Sequence, residues 1–250
     1  MTTQLNVIGG ADRNGMMEPV TLLTLHAGES LAVAGPTGSG KSEFLADIEQ
    51  LAEKDTPSGR AVTITVNGES KRQQGLVATL SQRTHFIMDA TVEEFVTLHA
   101  ASLGKNGQEL AKETLALANT LCGEPMTGKS LLQRLSGGQT RALMIADIAC
   151  VSDTPVVLID EVENAGIDKH LAVNVLAGHG KITVIATHDP VLMLSSPKRL
   201  IMREGGMRHM HVVTEAENRC REHLAFLDGK LLHAREILRQ GLRLEEGMLA

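Results

Sequence analysis

The sequence contains no Trp and no Tyr, and four Phe are its only aromatic residues, 2% of the chain. No indole or phenol ring is available wherever a ligand contact calls for one. Cysteine is scarce as well. Cys122, Cys150 and Cys220 are odd in number, far apart and without C-x-x-C spacing, so they read as reduced cytosolic thiols, not as a disulfide framework or a zinc site. Long hydrophobic runs are missing: the longest strictly aliphatic stretch, Val156 to Ile159, falls far short of the ~18 apolar residues of a membrane span. The first residues, Met1 to Asn6, lack the basic and apolar regions of a secretory signal. Positive charge is not in excess either, since 24 Lys and Arg stand against 30 Asp and Glu for a net charge of −6. Without a global basic field no obligatory nucleic-acid partner is expected. The expected location is cytoplasmic, peripheral on the inner face of the cell membrane only where a partner holds the chain there.

What is present is an ordinary globular balance, 42% hydrophobic and 22% charged over 250 residues, enough for one large domain or a domain with a lobe. There is no internal repeat. Short β-rich runs alternate with helical stretches, the pattern of a largely parallel sheet covered by helices. Strands are expected at 20–25, 30–34, 61–66, 76–80, 155–159, 181–186 and from Leu200, with turns at Ala27-Gly28 and Asn67-Gly68. A helix is expected over 41–54. From about 90 to 150 the pattern becomes mostly helical, opening at Thr91 to Glu94, which has capping-box form. Leu224, Leu227, Leu231, Leu238 and Leu242 recur near helical spacing in the last segment, where Gly229 and Gly241 predict two helices.

One stretch carries the chemistry most directly. Gly35, Pro36, Thr37, Gly38, Ser39, Gly40, Lys41 and Ser42 match G-x-x-x-x-G-K-[ST] in full, after a strand and before a helix. Glycines let backbone N–H groups curl around phosphate oxygens, and the helix beginning near Lys41 adds its positive end. Lys41 supplies a charge for the β- and γ-phosphates, and the Ser42 hydroxyl is a Mg²⁺ ligand. An apolar strand from Val156 ends in Asp160 and Glu161. Paired with the glycine loop, Asp160 is expected to hold Mg²⁺ and Glu161 to act as general base toward the attacking water. His209 with His211, and Cys220 with His223, offer no third or fourth metal ligand and read as solvated side chains.

Leu135, Ser136, Gly137, Gly138 and Gln139 precede the acidic pair by about one helix. With this run the sequence resembles the ATP-binding cassette (ABC) family of ATPases over roughly residues 1–213. The resemblance implies a P-loop, RecA-like α/β core with an antiparallel β region and an inserted α-helical lobe. It divides the chain into a first core part (1–82), the helical lobe (83–150), a second core part (151–213) and a helical tail (214–250). It implies that Gln82 is the Q-loop glutamine touching Mg²⁺ and water, and that His188 is the switch histidine sensing the γ-phosphate. Ser136, Gly137, Gly138 and Gln139 then form the signature loop that meets the nucleotide of another subunit, and Asp168 is the D-loop aspartate. The implied ligands are ATP and Mg²⁺, and the implied partner is a second such subunit, identical or not, in a head-to-tail dimer.

The departures from the family pattern are specific. Where an aromatic ring usually stacks on adenine the chain has Gly15 to Pro19, with Met16 or Met17 as an apolar, polarizable substitute. Asp147 stands where the family favours arginine, Val162 replaces the common proline, and the segment from Glu163 to Asp168 is one residue longer than usual. The first functional expectation is a nucleotide-binding subunit driving a separate membrane permease. The alternative is a soluble ABC ATPase that switches a cytosolic enzyme or cofactor-assembly complex.

Overall fold

The computed structural model describes residues 2–71, 75–81, 85–160 and 166–245. The strands are β1 (Thr3–Ile8), β2 (Leu22–His26), β3 (Ser30–Ala34), β4 (Ala61–Val66), β5 (Glu69–Lys71), β6 (Val77–Leu80), β7 (Val156–Asp160), β8 (Ile182–Ala186), β9 (Lys198–Arg203) and β10 (Gly206–Val212). The helices are α1 (Lys41–Glu49), α2 (Val92–Ser102), α3 (Gly107–Leu121), α4 (Gly137–Cys150), α5 (Lys169–Gly178), α6 (Pro190–Ser195) and α7 (Glu215–Arg239).

Two sheets result. An antiparallel sheet runs β2-β1-β4-β5, and a six-stranded sheet runs β10-β9-β3-β8-β7-β6. In the larger sheet β9, β3, β8, β7 and β6 are parallel and only the edge strand β10 is antiparallel. The burial patterns explain the division. Every residue of β3 and of β8 is buried, as parallel strands covered on both faces require, whereas β1 and β4 alternate. Asn67 and Gly68 take positive φ values of 53° and 84°, the geometry of a tight hairpin turn, and join β4 to β5.

The apolar interior forms two clusters. In one, Phe44 and Ile48 of α1 join Leu5, Val7 and Ile64 of the antiparallel sheet and Leu31, Leu158 and Val184 of the parallel sheet. In the other, Val96, Ala118, Leu143 and Ala146 of α2, α3 and α4 join Leu176 of α5 and Ile159 and Ile185 of the sheet. The fold is thus the expected P-loop α/β core with an antiparallel β region and an inserted helical lobe. Thr91 caps α2 with the expected reciprocal pair of hydrogen bonds to Glu94.

Two expectations are corrected. The helix after the glycine loop stops at Glu49, not at residue 54, because Leu51 turns into the left-handed region (φ 52°) and Ala52 N–H bonds back to the Asp47 carbonyl. The tail is one 25-residue helix that runs through Gly229, not two. A mid-helix glycine costs only about 1 kcal/mol against alanine, too little to interrupt so long a run of helix formers. Gly241 does end it: at φ 76°, with Gly241 N–H on the Leu238 carbonyl and Leu242 N–H on the Ile237 carbonyl, it closes the helix by a Schellman arrangement.

Candidate functional site

Parallel strands deliver their C-termini to one edge of the sheet, and ligands of open α/β sheets bind outside that edge. β3 leads there into the glycine loop. Its neighbour β8 leads into Thr187 and His188, and β7, next in order, ends at Asp160, which lies opposite Ala186 in register. β6 leads into Ser81. The strand order therefore brings Gly35–Ser42, His188 and Asp160 to the same edge. Gln82 and Glu161 lie outside the described residues, as do Val162 and Glu163.

The loop's geometry depends on its glycines. Gly40 has φ 98°, and a Cβ built there would stand 2.7 Å from Gly205 Cα. A Cβ at Gly35 would stand 2.5 Å from Ser39 Oγ and collide with the Met202 carbonyl. The loop thus rests on the turn between β9 and β10, held further by Gly205 N–H donating to the Ser39 carbonyl at 2.9 Å. Lys41 is buried, and its ammonium donates to the Gly35 and Pro36 carbonyls at 2.9 and 3.2 Å. Two of its three protons are so engaged, which leaves one for a phosphate oxygen. Ser39 Oγ is buried and has no hydrogen-bond partner among the described residues, an orphaned polar atom inside the cradle. Ser42 is exposed on the first turn of α1.

A buried ionic cluster braces this region from behind. Arg60, fully buried, donates through Nη2 and Nε to Glu18 (2.6 and 3.1 Å) and through Nη1 to Asp47 on α1 (2.8 Å). It also donates to the carbonyl of Gly205, the residue that abuts Gly40. Burial opposes the guanidinium charge, but Glu18 and Asp47 outweigh it and raise the group above its ordinary value. The cluster therefore ties the antiparallel sheet, α1 and the β9–β10 turn into one support.

Beside the loop lies an open cavity of 330 Å³ lined by Pro36 to Ser39 and by Arg13, Asn14, Arg203 and Glu204. Sequence reasoning did not single out these last four, having offered Met16 or Met17 as the contact to adenine. Both methionines are exposed, at 64% and 73%. The missed signal was the turn at Asp12 to Gly15: Asp12 accepts from the amides of Asn14 and Met16, and Arg13 N–H bonds the Glu204 carbonyl, which brings the turn against the loop.

Ser136 is the N-cap of α4, its hydroxyl accepting from Gln139 N–H while the Gln139 side chain accepts from Ser136 N–H. Ser136 and Gly137 are exposed, so the helix start faces outward. Gly166 approaches this point, its Cβ position lying 3.5 Å from Gly138 Cα. Asp168 is an exposed N-cap of α5, accepting from Leu171 N–H. The next residue, Lys169, pairs at 2.7 Å with Asp189, which follows His188 and caps α6. That pair links the start of α5 with the segment that follows β8. Lys169 and two backbone amides hold the Asp189 carboxyl below its usual value although burial works the other way. Asp147, the departure on α4, is buried and bonded to His99 Nδ1 of α2 at 2.8 Å.

A family model described as ABC transporter matches residues 20–164. The chain is 48% identical over 251 residues to an uncharacterized ABC transporter ATP-binding protein of Methanocaldococcus jannaschii, covering 96% of this chain and 94% of that one. It is 28% identical to the macrolide export ATP-binding/permease protein MacB of Campylobacter jejuni over 80% of its own length, and spans only 32% of that relative. Among solved structures, cbiO1 of Clostridium perfringens, part of the ABC transporter complex cbiONQ, aligns with a TM-score of 0.62 at 18% identity, covering 95% of this chain and 98% of that one.

Proposed function

Because the chain belongs to the ABC transporter family and is an ATP-binding, ATP-hydrolysing P-loop ATPase of that family, we propose that it powers a membrane permease carried on a separate chain. It does so as a pair of subunits that close head to tail on two ATP molecules. The observation that carries the reading is the single sheet edge that collects the glycine loop, Asp160 and His188, while Ser136 and Gly137 present an exposed helix start. Coupling to a permease is supported by the relative MacB, named as an ATP-binding/permease protein, of which this chain spans about a third. Among the described residues no helix is long and apolar enough to cross a membrane.

In this reading the loop amides and Lys41 hold the β- and γ-phosphates, with the buried Ser39 hydroxyl supplying a further donor. Arg13 and Asn14 line the cavity beside the loop, where the Arg13 guanidinium would offer a planar face in place of the usual aromatic ring and Asn14 a hydrogen-bonding group for the base. The oxygen-only set of Ser42, Asp160 and Gln82 suits Mg²⁺, which prefers hard oxygen ligands. When bound, Mg²⁺ neutralises charge on the β- and γ-phosphates. Glu161 takes the proton of the water that attacks the γ-phosphorus as the bond to the bridging oxygen breaks, releasing ADP and phosphate. His188 and Gln82 position that water. The other subunit's Ser136 to Gln139 completes the site, and the helical lobe, residues 83–150, transmits closure to the permease.

Affinity capture of tagged Glu161→Gln protein from its native cells with ATP present tests the partner. A stoichiometric multi-span membrane protein is the expected result. A soluble enzyme recovered in its place would replace the permease with a cytosolic client.

A further inference from the structure

At the sheet edge opposite the glycine loop, three side chains distant in sequence come together. Glu113 of α3, Cys150 at the last turn of α4 and His179 at the C-terminus of α5 each offer one ligand atom, and the three atoms lie within 4.8 Å of one another. We propose that these three residues form a binding site for a soft divalent transition cation such as Zn²⁺, one that pins the far end of the signature helix to α3 and α5.

The chemistry of the donors fits that class of ion. Thiolate, imidazole and carboxylate are the ligands Zn²⁺ takes, and three protein ligands leave a fourth position for water. Tetrahedral coordination places ligand atoms about 3.4 Å apart, so the triad must close by roughly 1 Å or more. Glu113 is exposed and can swing to do so.

Two further observations mark the place as prepared for a cation. His179 Nδ1 donates to the Val175 carbonyl at 2.8 Å, which fixes the tautomer and leaves Nε2 as the nitrogen with the lone pair. Thr114, fully buried, places its hydroxyl against the Cys150 sulfur, where it would donate to a thiolate. Lys181 lies near Cys150, its ammonium donating to the carbonyls of Ser152 and Thr154. The site is remote from the nucleotide. α4 separates Cys150 from Ser136 by about 20 Å at 1.5 Å per residue. A cation here therefore holds the base of the helix whose tip meets the partner's ATP. No C-x-x-C spacing marks the site, because its ligands come from three separate helices.

The test is titration of the nucleotide-free full chain with Co²⁺, followed by displacement with Zn²⁺. Without Trp or Tyr, the near-ultraviolet thiolate-to-cobalt band is unobscured. One equivalent of Co²⁺ should raise that band, and Zn²⁺ should remove it. Cys150→Ala should abolish it, Cys122→Ala and Cys220→Ala should keep it, and Thr114→Val should weaken affinity by about tenfold. Glu113→Gln, at an exposed position that leaves the fold intact, should weaken Co²⁺ binding by at least about tenfold. A band absent from the wild type, surviving Cys150→Ala, or lost only with Cys220→Ala would overturn the proposal, as would unchanged affinity in Glu113→Gln.

Discussion

Replacing Arg60 by methionine removes the one cation that two buried carboxylates share. Glu18 loses Arg60 contacts at 2.6, 3.1 and 3.3 Å, and Asp47 loses one at 2.8 Å. Neither can turn to water, since their side chains are 0% and 2% exposed. Glu18 keeps the amides of Gly10 and Met207, and Asp47 keeps the Ser58 hydroxyl, so the charges are not wholly abandoned. Breaking a buried pair by removing one partner costs about 3–5 kcal/mol, and these surviving donors favour the lower half of that range. For a chain of this size a loss of 1 kcal/mol lowers Tm by about 2–4 °C, so Arg60→Met should melt roughly 6–16 °C lower. Far-ultraviolet circular dichroism follows the transition, the chain having no Trp to report by fluorescence. The double variant Arg60→Met/Glu18→Gln should be less destabilised than the sum of the single changes, because the second removes a charge the first had stranded. A loss below about 1 kcal/mol, or strict additivity, would refute the claim that this cluster braces the fold.

Lys41→Ala removes a charge-assisted contact to phosphate worth about 1.5–3 kcal/mol, so ATP affinity should fall roughly 10- to 150-fold by equilibrium dialysis; undiminished affinity would sink the glycine-loop assignment. The hydrogen bond to Asp147, opposed by partial burial, raises His99 above 6.5. The stability it contributes is therefore full below the unfolded value and lost as pH rises through the folded one. The Tm gap between wild type and Asp147→Asn should narrow over that window, and a gap independent of pH would contradict the pairing. Asp189, held low by Lys169 and two amides against the pull of burial, contributes stability above its unfolded value that disappears as pH falls through the lower folded one. Asp189→Ala should cost about 1–2 kcal/mol at neutral pH, and Asp189→Asn less, since it can still cap α6.

Much of this site is legible in the sequence because each part is local. The glycine loop is one contiguous run whose spacing dictates a strand on one side and a helix on the other. Asp160 and His188 each follow an apolar strand, and parallel strands share an edge. The Thr91 and Ser136 caps are written within four residues. Arg13 and Asn14 were not legible, because their cavity exists only once the turn after β1 docks on Glu204, some 190 positions away. The Asp47, Arg60 and Glu18 cluster is hidden for the same reason, and so is the triad of Glu113, Cys150 and His179. Gly229 shows the opposite failure: a local signal read as a break is overruled by the helix around it.

Sedimentation of Glu161→Gln protein with and without Mg²⁺ and ATP tests the composite site most directly. Hydrolysis removed and phosphate ligands retained, the protein should be monomeric alone and should sediment at twice the monomer mass with ATP. Adding Ser136→Arg, which places a bulky charge at the exposed start of α4, should return it to the monomer. A Glu161→Gln protein that stays monomeric at saturating ATP, or one that turns over ATP at the wild-type rate, would contradict the account.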